Sequence, residues 1–182
     1  VPLTAFAAAG TVAYIGNVGY DSLVSAVEAA SDGETITLQA DDSSAQQIAI
    51  NKDLTIEMNG HNLTATAFKI TGGNVVISDR SGGASIQSTR NVAFKTAFNS
   101  SVYATIYVEG GNLALEGVEV KGYQGTGGYL PKALAVGGGF VTINSGTFTG
   151  GVGGNSGGDA IYFDSGMLTI HSGLFQGGNG GG

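Results

Sequence analysis

Cysteine is absent from the 182 residues. That removes a disulfide scaffold, a thiolate zinc site and a cysteine nucleophile together, so stability has to come from packing. Tryptophan is absent as well, proline occurs only twice, and charged residues make up only 12% of the chain. A disordered segment needs much charge and little apolar content, and with 42% hydrophobic residues this chain has the opposite balance. Cations are scarce, 7 Lys and Arg against 14 Asp and Glu, for a formal charge of −7. Seven scattered cations cannot form the basic stripe that neutralises a row of phosphates, which argues against nucleic acid and anionic membrane surfaces as partners. No run approaches the ~18 apolar residues of a membrane span.

Glycine is abundant. The 33 glycines are about 18% of the chain against a usual ~7%, without the Gly-X-Y period of collagen, so short strands joined by frequent turns are expected. Three stretches align without gaps over 17 residues: 106–122 (IYVEGGNLALEGVEVKG), 134–150 (LAVGGGFVTINSGTFTG) and 161–177 (IYFDSGMLTIHSGLFQG). Five columns of the alignment are apolar: Ile106/Leu134/Ile161, Val108/Val136/Phe163, Leu113/Val141/Leu168, Leu115/Ile143/Ile170 and Val120/Phe148/Phe175. The first two columns lie two residues apart, as do the third and fourth, which is the period of a strand with one face buried. Two further columns are glycine, Gly111/Gly139/Gly166 and Gly122/Gly150/Gly177, and predict corners that need positive φ or close backbone approach. Looser copies begin at Ile48 and Phe68, making five turns of one pattern.

A unit with three very short strands cannot bury its own apolar side, whereas stacking the units makes one continuous core. The predicted fold is therefore all-β, a parallel β-helix over 35–177, with a Gly-rich end at 178–182. Residues 20–34 read as a short amphipathic capping helix, apolar at 23, 24, 26, 27 and 30, with Asp21 as N-cap and Gly33 as the left-handed stop. Residues 1–19 read as an N-terminal arm or signal-peptide remnant, on the small-x-small pattern Ala5-Phe6-Ala7. Export to a cell surface or the medium is the matching expectation.

The run from Tyr20 through Leu23, Ala26, Val27, Gly33 and Glu34-Thr35-Ile36-Thr37-Leu38, then Leu54-Thr55-Ile56-Glu57-Met58-Asn59-Gly60-His61, resembles the start of pectin-lyase-like right-handed β-helix proteins. The unit at 165–175 is similar to repeats of exported, adhesin-like bacterial surface proteins of that superfamily. The resemblance implies the fold over roughly 20–177. It leaves activity open between polysaccharide lyases, hydrolases and proteins without catalysis.

Catalytic signals are thin, and no catalytic residue, metal ligand or cofactor is assigned. Asp79-Arg80 is the nearest approach to an acid and a base, and reads as a solvated turn with a local ion pair. Asp41-Asp42 are sequence neighbours, so on a strand they would face opposite ways. Glu116, Asn144 and His171 share one column and are expected to stack about 4.8 Å apart as a polar ladder.

Inserts at 89–105, 123–133 and 151–160 all enter at the same point of the repeat and must leave at one corner, where solenoids commonly place binding. They carry Arg90, Phe94, Phe98, Tyr103, Tyr123, Tyr129 and Lys132. These side chains either form a surface for a glycan or a host protein or fold down over the flank. The expected function is a non-enzymatic binding or spacer module; a polysaccharide-acting enzyme and a self-assembling fibre subunit are the alternatives. No helix, proline or charged run follows Phe175, so the last coil is expected to continue into further coils, to pair with a neighbouring chain in self-association, or to be capped by the inserts.

Overall fold

The computed structural model describes residues 10–96, 100–125, 129–153 and 156–180. These residues are mostly β, with twenty strands and one helix. The strands lie in three sheets, and the chain visits the sheets in a fixed cyclic order. The first sheet gathers Glu34–Leu38, Leu54–Glu57, Asn74–Ser78, Asn112–Glu116, Phe140–Ile143 and Met167–Ile170. The second runs from Asp42–Ser43 through Leu63–Ala65, Ser85–Ser88, Val118–Lys121 and Gly146–Thr149 to Leu174–Gln176. The third takes Gln47–Ile50, Ala67–Ile70, Ser101–Val108, Lys132–Val136 and Ile161–Phe163. Neighbours along these three lists pair parallel.

All five apolar columns of the alignment are strand registers: Ile106 faces Leu134 and Leu134 faces Ile161, Leu115 faces Ile143 and Ile143 faces Ile170, and Val120 faces Phe148 and Phe148 faces Phe175. Side chains from all three sheets meet in one core, including Ile56, Ile77 and Ile143 from the first, Ile86 and Phe148 from the second, and Ile70 and Leu134 from the third. One corner explains the first glycine column. Gly73, Gly111 and Gly139 have φ of +75°, +75° and +70°. A Cβ on Gly111 would lie 2.7 Å from both the Gly72 Cα and the Gly73 carbonyl oxygen of the circuit beneath. The second glycine column needs no positive φ; at Gly122 and Gly150 it is the backbone of the neighbouring circuit that leaves no room for a side chain.

The N-terminal region departs from expectation in three places. The helix is Leu23–Ala29, and its N-cap is Ser22, whose hydroxyl accepts from the Ser25 N–H at 3.2 Å; Asp21 instead accepts from the Ser25 hydroxyl at 2.8 Å. The helix stops at Ala30 in extended conformation, three residues before Gly33. Its terminal carbonyls are met by Lys52, whose ammonium donates to Val27 O at 3.0 Å and Ala30 O at 2.6 Å, a favourable place for a cation. Finally, Ala13–Ile15 and Val18–Tyr20 form a hairpin that pairs antiparallel with Glu34–Leu38 and covers that edge of the first sheet, while the helix buries Leu23, Ala26 and Val27. The arm expected at 1–19 thus contains a β-hairpin, and 1–9 lie outside the described residues.

At the other end, each of Ile161–Phe163, Met167–Ile170 and Leu174–Gln176 has one strand partner among the described residues. Ile170 is 46% exposed, although its column mate Ile143 is fully buried. The 151–160 insert joins the Gly-rich end through a Gly153–Gly180 bridge and a Gly178 N–H bond to Gly158 O at 2.7 Å. Among the described residues no helix is long and apolar enough to cross a membrane.

Candidate functional site

The insert that begins at 89 folds back as a hairpin, Ala93–Lys95 against Ser101–Val108, over the outer side of the third sheet. Its anchor is Phe94, which is buried and stacks on Tyr107 with ring centroids 4.6 Å apart. Tyr107 points outward from its strand between the inward Ile106 and Val108, and its hydroxyl donates to Lys95 O at 2.9 Å. Phe94 therefore covers the flank and is not a contact surface. Burial, then the charges of Glu109 and Asp164, raises the Tyr107 hydroxyl above its ordinary pKa of 10.0.

Beside this anchor lies a cleft of about 260 Å³ lined by Ser101, Val102, Tyr103, Tyr129, Leu130, Lys132 and Tyr162. Three of the seven insert residues singled out in the sequence, Tyr103, Tyr129 and Lys132, meet here. The Tyr103 and Tyr129 ring centroids are 4.3 Å apart and the rings are tilted by 36°. Burial, then the Tyr129 neighbour, raises the Tyr103 hydroxyl above its ordinary value, so it stays a neutral phenol. Tyr129 is 50% exposed. The Lys132 side chain, 9% exposed, reaches Asp159 of the 151–160 insert at 2.8 Å, which neutralises the cation at the cleft wall.

The other four are placed elsewhere. Arg90 is exposed in the turn before Ala93–Lys95 and does not line the cleft. The Tyr123 ring lies against Gly125, with no part in the lining. Phe94 is buried, and Phe98 lies outside the described residues. Sequence reasoning passed over Tyr162, Leu130 and Asp159. Tyr162 carried a signal: it sits between Ile161 and Phe163, which pair with the buried Leu134 and Val136, and is itself in register with Ala135 and, one circuit earlier, with Tyr107. Alternation alone puts it on the outer face, beneath the inserts.

The polar column forms no bonded ladder, whereas the carboxylate candidates have structural partners. Glu116, Asn144 and His171 do fall in one column beside the paired Leu115, Ile143 and Ile170, but all three are exposed and no hydrogen bond joins their side chains. The bonded ladder is at a different corner: Asp53 Oδ1 accepts from the Asn74 N–H at 2.7 Å, and Asn74 Oδ1 accepts from Asn112 Nδ2 at 2.6 Å. Asp79 is buried, contrary to the solvated turn expected, because its carboxylate accepts the N–H groups of Gly60 and Ala84, each at 2.8 Å. Arg80 pairs with Glu57 at 3.7 Å, not with Asp79. Asp42 accepts the first-turn Leu23 N–H at 2.7 Å and Asp41 the Asn62 N–H at 2.8 Å, a bond that holds the Asp41 carboxyl below its usual range. Among the described residues no three His, Asp or Glu side chains converge so as to hold a metal ion. No family model, curated protein or solved structure matches the chain, so the functional reading rests on the chemistry of this cleft.

Proposed function

We propose that the three sheets are the walls of a right-handed parallel β-helix of the pectin-lyase-like kind, and that the protein is a non-enzymatic binding or spacer module of an exported bacterial surface protein. Support for the winding comes from the cyclic order of the sheets, the column registers, the glycine corner, and the strong preference of parallel crossovers for the right hand. The superfamily and its surface location rest on the sequence resemblance of the opening run and of the 165–175 unit.

The observation that carries the binding reading is the cleft where two inserts and a strand of the third sheet bring Tyr103, Tyr129 and Tyr162 together. The regular circuits need none of these rings for their common core, which frees the inserts to vary around a ligand. Against the enzymatic alternative stand the carboxylates of Asp42, Asp53 and Asp79, which accept backbone N–H groups and hold turns in place. The test pairs two assays on one preparation. Pectate, pectin, alginate and xylan, with and without calcium, should yield no unsaturated or reducing ends, while a glycan and host-protein array should give a signal that Tyr129→Ala abolishes without moving the melting curve. Product release that is lost in Arg80→Ala would overturn the reading in favour of a lyase.

A further inference from the structure

We infer that the cleft between Tyr103, Tyr129, Leu130, Lys132 and Tyr162 is a binding site for an uncharged sugar, one or two pyranose rings long. This deepens the binding-module reading and rests on it. Size comes first: about 260 Å³ is just under the ~300–1,000 Å³ of pockets that enclose drug-sized ligands, a scale that suits one or two six-membered rings at a time.

The surface chemistry selects among ligands of that size. Tyr129 packs on the Tyr103 ring at 4.3 Å, a contact that restrains it, and is still half exposed, which leaves part of its surface open to a ligand. A restrained aromatic loses little conformational entropy on binding, and its face suits the C–H face of a pyranose. Leu130, 42% exposed, extends the apolar floor. Hydroxyl-bearing side chains share the lining. The Tyr162 hydroxyl reaches Asp164 only at 3.5 Å, a weak bond that leaves its capacity for a ligand, and Ser101 adds an exposed hydroxyl. An apolar floor with hydroxyls in the same lining matches a sugar, which is apolar on its ring face and polar at its edge.

Charge decides between neutral and acidic sugars. Lys132 is the one cation of the lining, and Asp159 already holds it at 2.8 Å. A uronate would have to share Lys132 with Asp159 and approach a chain of formal charge −7. A neutral sugar meets neither cost.

The test uses the full chain with ring-labelled tyrosine, whose seven residues give seven assignable signals. Cellobiose, lactose and N,N′-diacetylchitobiose are titrated beside digalacturonate and a proline-rich peptide. At least one neutral disaccharide should shift the Tyr103, Tyr129 and Tyr162 signals and leave Tyr14 and Tyr20 in place. Tyr129→Ala should weaken that binding by about ten- to a hundredfold, as for an aromatic anchor, and Tyr129→Phe, which keeps the ring, should bind within about threefold of the parent. In Asp159→Asn the freed Lys132 should raise digalacturonate affinity relative to the neutral sugar. The inference is overturned if digalacturonate binds the parent as tightly as the neutral sugars, or if Tyr129→Ala leaves binding intact. A peptide that moves the same three signals where no sugar does would overturn the sugar class and leave the binding-module reading standing; silence from every probe would overturn the sugar site and leave the spacer reading.

Discussion

Replacing Gly111 with alanine probes the packing of one circuit on the next more sharply than any deletion from the core. Two costs coincide there. The backbone sits at φ +75°, where an L side chain loses about 1–2 kcal/mol, offset by roughly 0.4–1 kcal/mol because alanine narrows the unfolded ensemble. The new methyl would also lie 2.6 Å from the Gly72 carbonyl carbon and 2.7 Å from its Cα. Both atoms are backbone of the neighbouring circuit, so no rotamer relieves the overlap and the strands must move apart, a strain of about 1–3 kcal/mol by analogy with overpacked cores. Gly33 supplies the control. Its φ is +82°, but a Cβ there meets nothing within 4 Å, so Gly33→Ala carries only the first cost. The expected losses are about 3 kcal/mol for Gly111→Ala and about 1 kcal/mol for Gly33→Ala, or about 6–12 °C and 2–4 °C in melting temperature for a domain of this size. Circular dichroism melts give the comparison, and urea midpoints at unchanged slope show whether the two-state treatment holds. Equal losses in the two variants would refute the close stacking of Gly111 on Gly72.

Ile143 is fully buried in a central strand, so Ile143→Asp should cost several kcal/mol and Thr142→Asp, on the outward position beside it, far less; similar melting of the two would refute the register. Lys52→Met keeps the aliphatic stem and removes the bonds to Val27 O and Ala30 O; a loss of about 1–3 kcal/mol is expected, with faster amide exchange in Leu23–Ala29 than elsewhere, and unchanged exchange would contradict the capping role. Tyr103 and Tyr107 are both raised above 10.0. Their contribution to stability is therefore complete below pH 10 and is lost as pH rises through the folded values. Spectrophotometric titration should find late-ionising tyrosines whose number falls in Tyr103→Phe, and an unchanged titration would refute the burial of that hydroxyl.

The parts of this structure that were legible in the sequence are those fixed by local alternation. Ile106, Leu134 and Ile161 could be aligned from spacing alone because an inward position recurs every second residue, and slipping by one would put a whole strand's apolar set in water. Gly111 and Gly139 were legible as corners for an equally local reason. The N-cap was missed by one residue because Asp21 and Ser22 are both good caps, and the choice between them is made by the distant Asp42, which takes the Leu23 N–H. The Ala13–Ile15 hairpin was too short to signal a strand by its own pattern and is defined by its pairing with Glu34–Leu38. Three residues of the cleft were named in advance, yet its neutrality was invisible: Lys132 and Asp159 lie on different inserts, and no spacing rule joins them. Asp79 failed as a surface residue because its partners, Gly60 and Ala84, are turn amides that only the folded circuits bring to it.

A crystal structure of the full chain soaked with a neutral disaccharide decides whether the tyrosine cleft holds a sugar. A sugar ring is expected against the exposed side of Tyr129, with hydroxyls in reach of Tyr162 and Ser101 and with the Lys132–Asp159 pair intact. Sugar bound instead over the first sheet at Glu116, Asn144 and His171, or beside Arg80 and Glu57, with the tyrosine cleft empty, would contradict it.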